Sequence, residues 1–79
     1  MLRFVGDFNL LVRLGFFVSQ DRVTGRPRFL WCNGERYDEE EDDCVAIEHD
    51  GTISFNYWDT DAVAALVYDL TVHGLVRKF

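Results

Sequence analysis

Cys32, Cys44, His49 and His73 are the side chains of this chain with the chemistry to hold a metal or to start a nucleophilic reaction. Their spacing argues against both. Structural zinc sites draw on close C-x2-4-C or H-x3-5-H pairs, and no two of these residues form one. Cys44 and His49 offer a thiol near a base, but no nucleophile motif surrounds Cys44, and the carboxylates just before it disfavour a thiolate. The two cysteines are expected to be buried thiols, since a pair is too few for a disulfide framework. Gly15, Gly25 and Gly34 are isolated, so no glycine-rich phosphate loop is present. The expectation is a protein without catalysis, metal or cofactor.

Carboxylates carry the strongest signal. Asp38, Glu39, Glu40, Glu41, Asp42 and Asp43 are six acids in succession, and from Glu35 to Asp61 there are 11 acids against one base, Arg36. Segments 1–34, 35–61 and 62–79 carry +3, −10 and +1. Such a distribution attracts basic partners and repels nucleic-acid backbones. A strand rises about 3.3 Å per residue, close to the ~3.4 Å between phosphates along one DNA strand. A row of carboxylates therefore matches the charge spacing that a basic groove reads in DNA. The plainer reading is a solvated loop that aids solubility. A calcium loop needs oxygen ligands interleaved around a glycine turn, a spacing the run lacks.

The elements that position these groups follow from patterning. Leu2, Phe4, Phe8, Leu10, Val12, Leu14, Phe16 and Val18 share even parity, which predicts a short strand, a break at Gly6-Asp7 and a longer strand over 8–18 with a bend at Gly15. A helix over 8–18 is the rival reading, because Phe8, Leu11, Val12 and Phe16 also share a helical face. Residues 19–28 are turn-rich and basic, with Pro27 at a strand start or an edge. Phe29 to Cys32, Asn33-Gly34 and Glu35 to Tyr37 read as a hairpin. Val45 and Ile47 precede Asp50-Gly51, and Ile53, Phe55 and Tyr57 follow. A three-residue loop, His49-Asp50-Gly51, pairs Ile47 with Ile53 and Val45 with Phe55, keeping the apolar side chains on one face. A two-residue loop would mix the faces.

After Thr60 the period changes. Val63, Leu66, Val67 and Leu70 follow helical spacing, Asp59 or Thr60 caps the start, and Gly74 ends it. Leu75 to Phe79 is long enough for a short tail strand. The predicted fold is α+β: one domain over residues 1–79, an antiparallel sheet of four or five strands, and one C-terminal helix over 60–73 packed on one face.

The chain of 79 residues is 15% aromatic, which is one way for a short chain to build a core. No segment reads as a signal peptide or a membrane span, so the expected location is the cytoplasm. Trp58 has parity opposite to Phe55 and Tyr57. It either points outward as an apolar anchor beside Asp59 and Asp61 or packs under the helix.

In size and charge, though in no motif, the chain resembles small phage-encoded inhibitors of the anti-CRISPR and DNA-mimic type. The resemblance implies a host cytoplasmic location and an acidic surface that occupies a basic nucleic-acid channel, such as that of a CRISPR surveillance complex. The net charge of −6 opposes direct contact with nucleic acid, and no membrane contact is expected. The residues expected at the partner interface are Glu35, Asp38 to Asp43, Glu48, Trp58, Asp59 and Asp61, in a monomer or weak homodimer. The alternatives are a small DNA-associated regulator using Arg22, Arg26 and Arg28, or a structural subunit that supports assembly through a sheet edge or the helix.

Overall fold

In the computed structural model, residues 1–34 and 43–79 are described. The chain runs β1 (Leu2–Phe4), α1 (Asn9–Arg13), β2 (Phe17–Gln20), β3 (Pro27–Trp31), β4 (Val45–Glu48), β5 (Ile53–Phe55), α2 (Thr60–Val72) and β6 (Val76–Lys78). Strands β2-β3-β4-β5 form an antiparallel meander, and β1 pairs with β6 in a separate two-stranded ribbon. The architecture is α+β with one long C-terminal helix.

The β4–β5 hairpin has the register that patterning demanded: Ile47 faces Ile53 and Val45 faces Phe55. The loop closes through Gly51 N–H to the Glu48 carbonyl and Glu48 N–H to the Thr52 carbonyl. Gly51 has φ +91°, and an added Cβ would lie 2.5 Å from the Phe4 carbonyl oxygen. That approach is used, because Phe4 N–H donates to the Gly51 carbonyl at 2.9 Å. One glycine thus joins the terminal ribbon to the main sheet.

Alternation along the strands places Phe17, Leu30 and Ala46 on one face and Phe29, Trp31, Val45, Ile47 and Ile53 on the other. The centre of β4 is buried on both faces, which explains its unbroken Val45-Ala46-Ile47 run. Phe8 stacks on Phe29 at 5.3 Å and leans on Phe4 at 5.0 Å, fastening the first third of the chain to the second face.

The first third departs from the strand expected over 8–18. Residues 9–13 are helical, and only 17–20 are strand. Asp7 is the local cause. Its carboxylate accepts the Asn9 N–H at 2.9 Å, which turns the chain into a helical start. Gly15, at φ +96°, then lets Phe16 N–H reach the Leu11 carbonyl and ends the turn. The even parity was fortuitous. Leu11 is fully buried, whereas Val12 is 54% exposed.

Helix α2 begins where Asp59 accepts the N–H groups of Asp61 and Ala62. It buries Leu66 and Leu70, four residues apart on one face. At its end Gly74 takes φ +68°, and Leu75 N–H returns to the Leu70 carbonyl, the bond of a Schellman stop. Leu75 is buried and leads into β6. The expected tail strand is therefore present, with Arg3 opposite Arg77.

Candidate partner-binding surface

Cys32 and Cys44 are buried, as expected, but they are not thiols: they form a disulfide. Their pairing follows from strand register. Trp31 faces Val45 across β3 and β4, so the next position brings Cys32 opposite Cys44, with Cα atoms 5.1 Å apart. The sequence reading missed this because it paired residues 29–32 with 35–37. That return strand lies outside the described residues, and β3 takes β2 and β4 as its neighbours. Asn33 (φ 52°) and Gly34 (φ 85°) still adopt the left-handed geometry that an Asn-Gly turn requires.

The cross-link closes a chain segment with an unusual charge. Between the two cysteines lie Glu35 and Asp38 to Asp43, seven of the protein's 14 acids, against the single base Arg36. Glu35 and Asp38, Glu39, Glu40, Glu41 and Asp42 lie outside the described residues. Asp43 is exposed and adjoins Cys44. Half of the carboxylates therefore lie, in sequence, between two cross-linked positions.

Three other expected residues lie near that edge. Trp31, the last residue of β3, meets Tyr57 edge to face at 5.3 Å. Tyr57 is buried, and its ring stands 5.7 Å from that of Trp58. Trp58 itself is 77% exposed. Sequence parity left it two orientations, and the outward one is observed. Two ring contacts thus hold an exposed indole near the strand end that carries the disulfide. Asp59 and Asp61 follow directly. Asp61 is exposed in the first helical turn, whereas the Asp59 carboxylate is turned back onto the helix as its cap.

Glu48 sits elsewhere. It lies at the far end of β4 from Cys44, directly opposite Arg28, and accepts the Arg28 Nε–H at 2.9 and 3.1 Å. Both side chains are largely covered. Glu48 is therefore committed within the protein rather than presented with the acidic segment. The same pair alters the reading of the basic loop. Arg28 belongs to β3, and Arg22 and Arg26 stand exposed in the 21–26 turn.

Two turn carboxylates are held below the ordinary carboxylate range. Asp21 accepts N–H bonds from Thr24 and Val23. Asp50 is stabilised as its anion by the backbone N–H of Thr52, at 2.9 Å, and by that residue's hydroxyl. His73 turns Nδ1 toward the Asp69 carbonyl at 2.7 Å and, with Arg13, Leu10, Leu14 and Leu75, borders a cavity of about 190 Å³. Arg13 stands in the last turn of α1, where a cation is favoured. Among the described residues no three His, Cys, Asp or Glu side chains gather in a way that would hold a metal ion, and no helix is long and apolar enough to cross a membrane. No protein family, curated protein or solved structure matches this chain.

Proposed function

We propose that this is a non-catalytic binding protein that blocks the basic surface of a nucleic-acid-binding protein by presenting carboxylates where DNA phosphates would lie. The observation that carries the reading is the Cys32–Cys44 cross-link, which joins the two ends of the sequence segment holding Glu35 and Asp38 to Asp43 at the end of β3 from which Trp31 reaches Tyr57, the neighbour of the exposed Trp58. Charge supplies long-range attraction and release of the partner's counterions. The indole supplies contact area that salt does not screen. Inhibitors of the anti-CRISPR kind work in this manner, and the charge pattern fits their mode of action.

The disulfide bears on location. Disulfides persist in oxidising compartments and are rare in the cytosol. A cytoplasmic inhibitor would have to keep this one by burial, since both cysteines are inaccessible to a reductant in the folded state. Thiol titration of protein freshly recovered from cells distinguishes the two situations.

Capture of partners from a host lysate, followed by a gel-shift assay, tests the function. Replacing Asp38 to Asp43 with Asn and Gln should abolish capture while leaving the fold intact, and the wild type should displace DNA from the captured protein. Unchanged capture by the neutralised variant would refute the reading. Direct binding of DNA would instead favour a regulator acting through Arg22 and Arg26.

A further inference from the structure

We propose that the cavity bordered by the ends of α1 and α2 binds a small organic carboxylate, a benzoate-sized acid with one anionic group and an apolar body. Leu10, Leu14 and Leu75 supply an apolar lining, and Arg13 and His73 border the same space of about 190 Å³. Two helix stops place these residues. Arg13 is the last residue of α1, and Leu14 follows as its cap. His73 caps α2. Gly74, at φ +68°, then turns the chain so that Leu75 N–H meets the Leu70 carbonyl and Leu75 is buried.

Charge and hydrogen bonding select an anion. Arg13 and His73 are both exposed, and no acid borders the cavity. Arg13 has no hydrogen-bond or ion-pair partner among the described residues, so its guanidinium fork is available to hold a carboxylate through two N–H groups. At His73 the tautomer follows from geometry. A carbonyl oxygen only accepts, so the 2.7 Å contact with the Asp69 carbonyl puts a proton on Nδ1. Nε2 is then the nitrogen left to take a proton and donate to an anion. The negative pole of α2 is blunted. The Asp69, Leu70 and Thr71 carbonyls accept the N–H groups of His73, Leu75 and Gly74, so they are engaged within the turn.

Size and lining set the body. An apolar cavity of roughly 150 Å³ admits benzene, and water takes about 30 Å³ per molecule in the liquid. The space here is therefore that of about six waters, enough for an aromatic ring with its carboxyl group at the two bases. Such a ring displaces water that leucine side chains cannot hydrogen-bond. Free phosphate or sulfate fits less well. It brings more lone pairs than one arginine and one imidazole satisfy, and it has no body to cover the leucines. The cavity shares no residue with the acidic segment or Trp58.

The test is an NMR titration of the protein with sodium benzoate. Ring-current shifts should appear on the methyl groups of Leu10, Leu14 and Leu75. They should saturate with a Kd on the order of 1 mM, as expected for a ligand of about ten non-hydrogen atoms. Benzamide keeps the ring and loses the charge, and acetate keeps the charge and loses the ring. Each should bind about tenfold more weakly than benzoate, a comparison that needs no variant. Arg13→Gln removes the charged fork at an exposed position, where the fold tolerates substitution, and should weaken benzoate about tenfold. The proposal is overturned by absence of saturable shifts, by equal binding of benzamide or acetate, by unchanged benzoate binding in Arg13→Gln, or by shifts confined to other residues.

Discussion

Trp31 and Tyr57 meet edge to face, with ring centroids 5.3 Å apart, and through this contact β3 fixes the start of α2. Tyr57 is buried, while its neighbour Trp58 is 77% exposed. The two residues should separate stability from binding. Tyr57→Ala should cost about 3 kcal/mol in chemical denaturation, because it empties a buried aromatic site. Trp58→Ala should change stability by no more than about 0.5 kcal/mol, as expected of an exposed residue, yet reduce partner affinity.

Gly51→Ala should be the most damaging single change in a turn. The residue holds φ +91°, and its Cβ position lies 2.5 Å from the Phe4 carbonyl oxygen. Left-handed strain and a backbone clash act together, so a loss of about 2 kcal/mol or more is expected. Equilibrium unfolding measures it. The amide of Phe4, which bonds the Gly51 carbonyl, should also lose protection from hydrogen exchange.

The Cys32–Cys44 disulfide closes a loop with a sequence separation of 12. Loss of the bond through Cys32→Ala with Cys44→Ala should lower stability by about 2–4 kcal/mol, chiefly by freeing the unfolded chain. A thermal melt with and without reductant provides the comparison. The acidic segment would then be tethered only through the strands, and partner affinity should fall with it.

Acid should unfold the protein partly through its turns. Asp21 and Asp50 titrate below their ordinary value of 3.8 in the folded state, because backbone N–H groups favour their anions. A lowered folded pKa contributes stability that is present above the unfolded value and is lost as pH falls through the folded one. Stability should therefore decline below about pH 4. The decline should be shallower in a variant carrying both Asp21→Asn and Asp50→Asn. An identical acid limb in that variant would show that other carboxylates dominate.

Much of the fold was legible because period-two patterning met a register constraint. Ile47 opposite Ile53 and the Gly74 stop each follow from a local rule with one competitive solution, and the helix cap fell to Asp59, one of two adjacent candidates with Thr60. Residues 8–18 misled because a short helix over Asn9–Arg13 needs only Leu11 buried, while the even positions imitate a strand. The tie was broken by the Asp7 side-chain bond, which parity does not encode. The disulfide was missed for a non-local reason. It depends on β3 pairing with β4 across the acidic segment, and the Asn33-Gly34 turn offered a nearer partner. At the candidate site, parity left Trp58 an outward orientation, but the separation of Glu48 from Asp43, Asp59 and Asp61 required the strand directions.

If carboxylates are the main source of affinity, a salt titration of binding to the captured partner shows it most directly. Screening acts within about 8–10 Å near physiological ionic strength, so the affinity of the wild type should fall steeply between roughly 50 and 300 mM salt, mainly through slower association. Trp58→Ala should lower affinity at every salt concentration without changing that slope. A flat salt response, with most affinity lost in Trp58→Ala, would contradict the account and leave Asp38 to Asp43 as a solubilising segment.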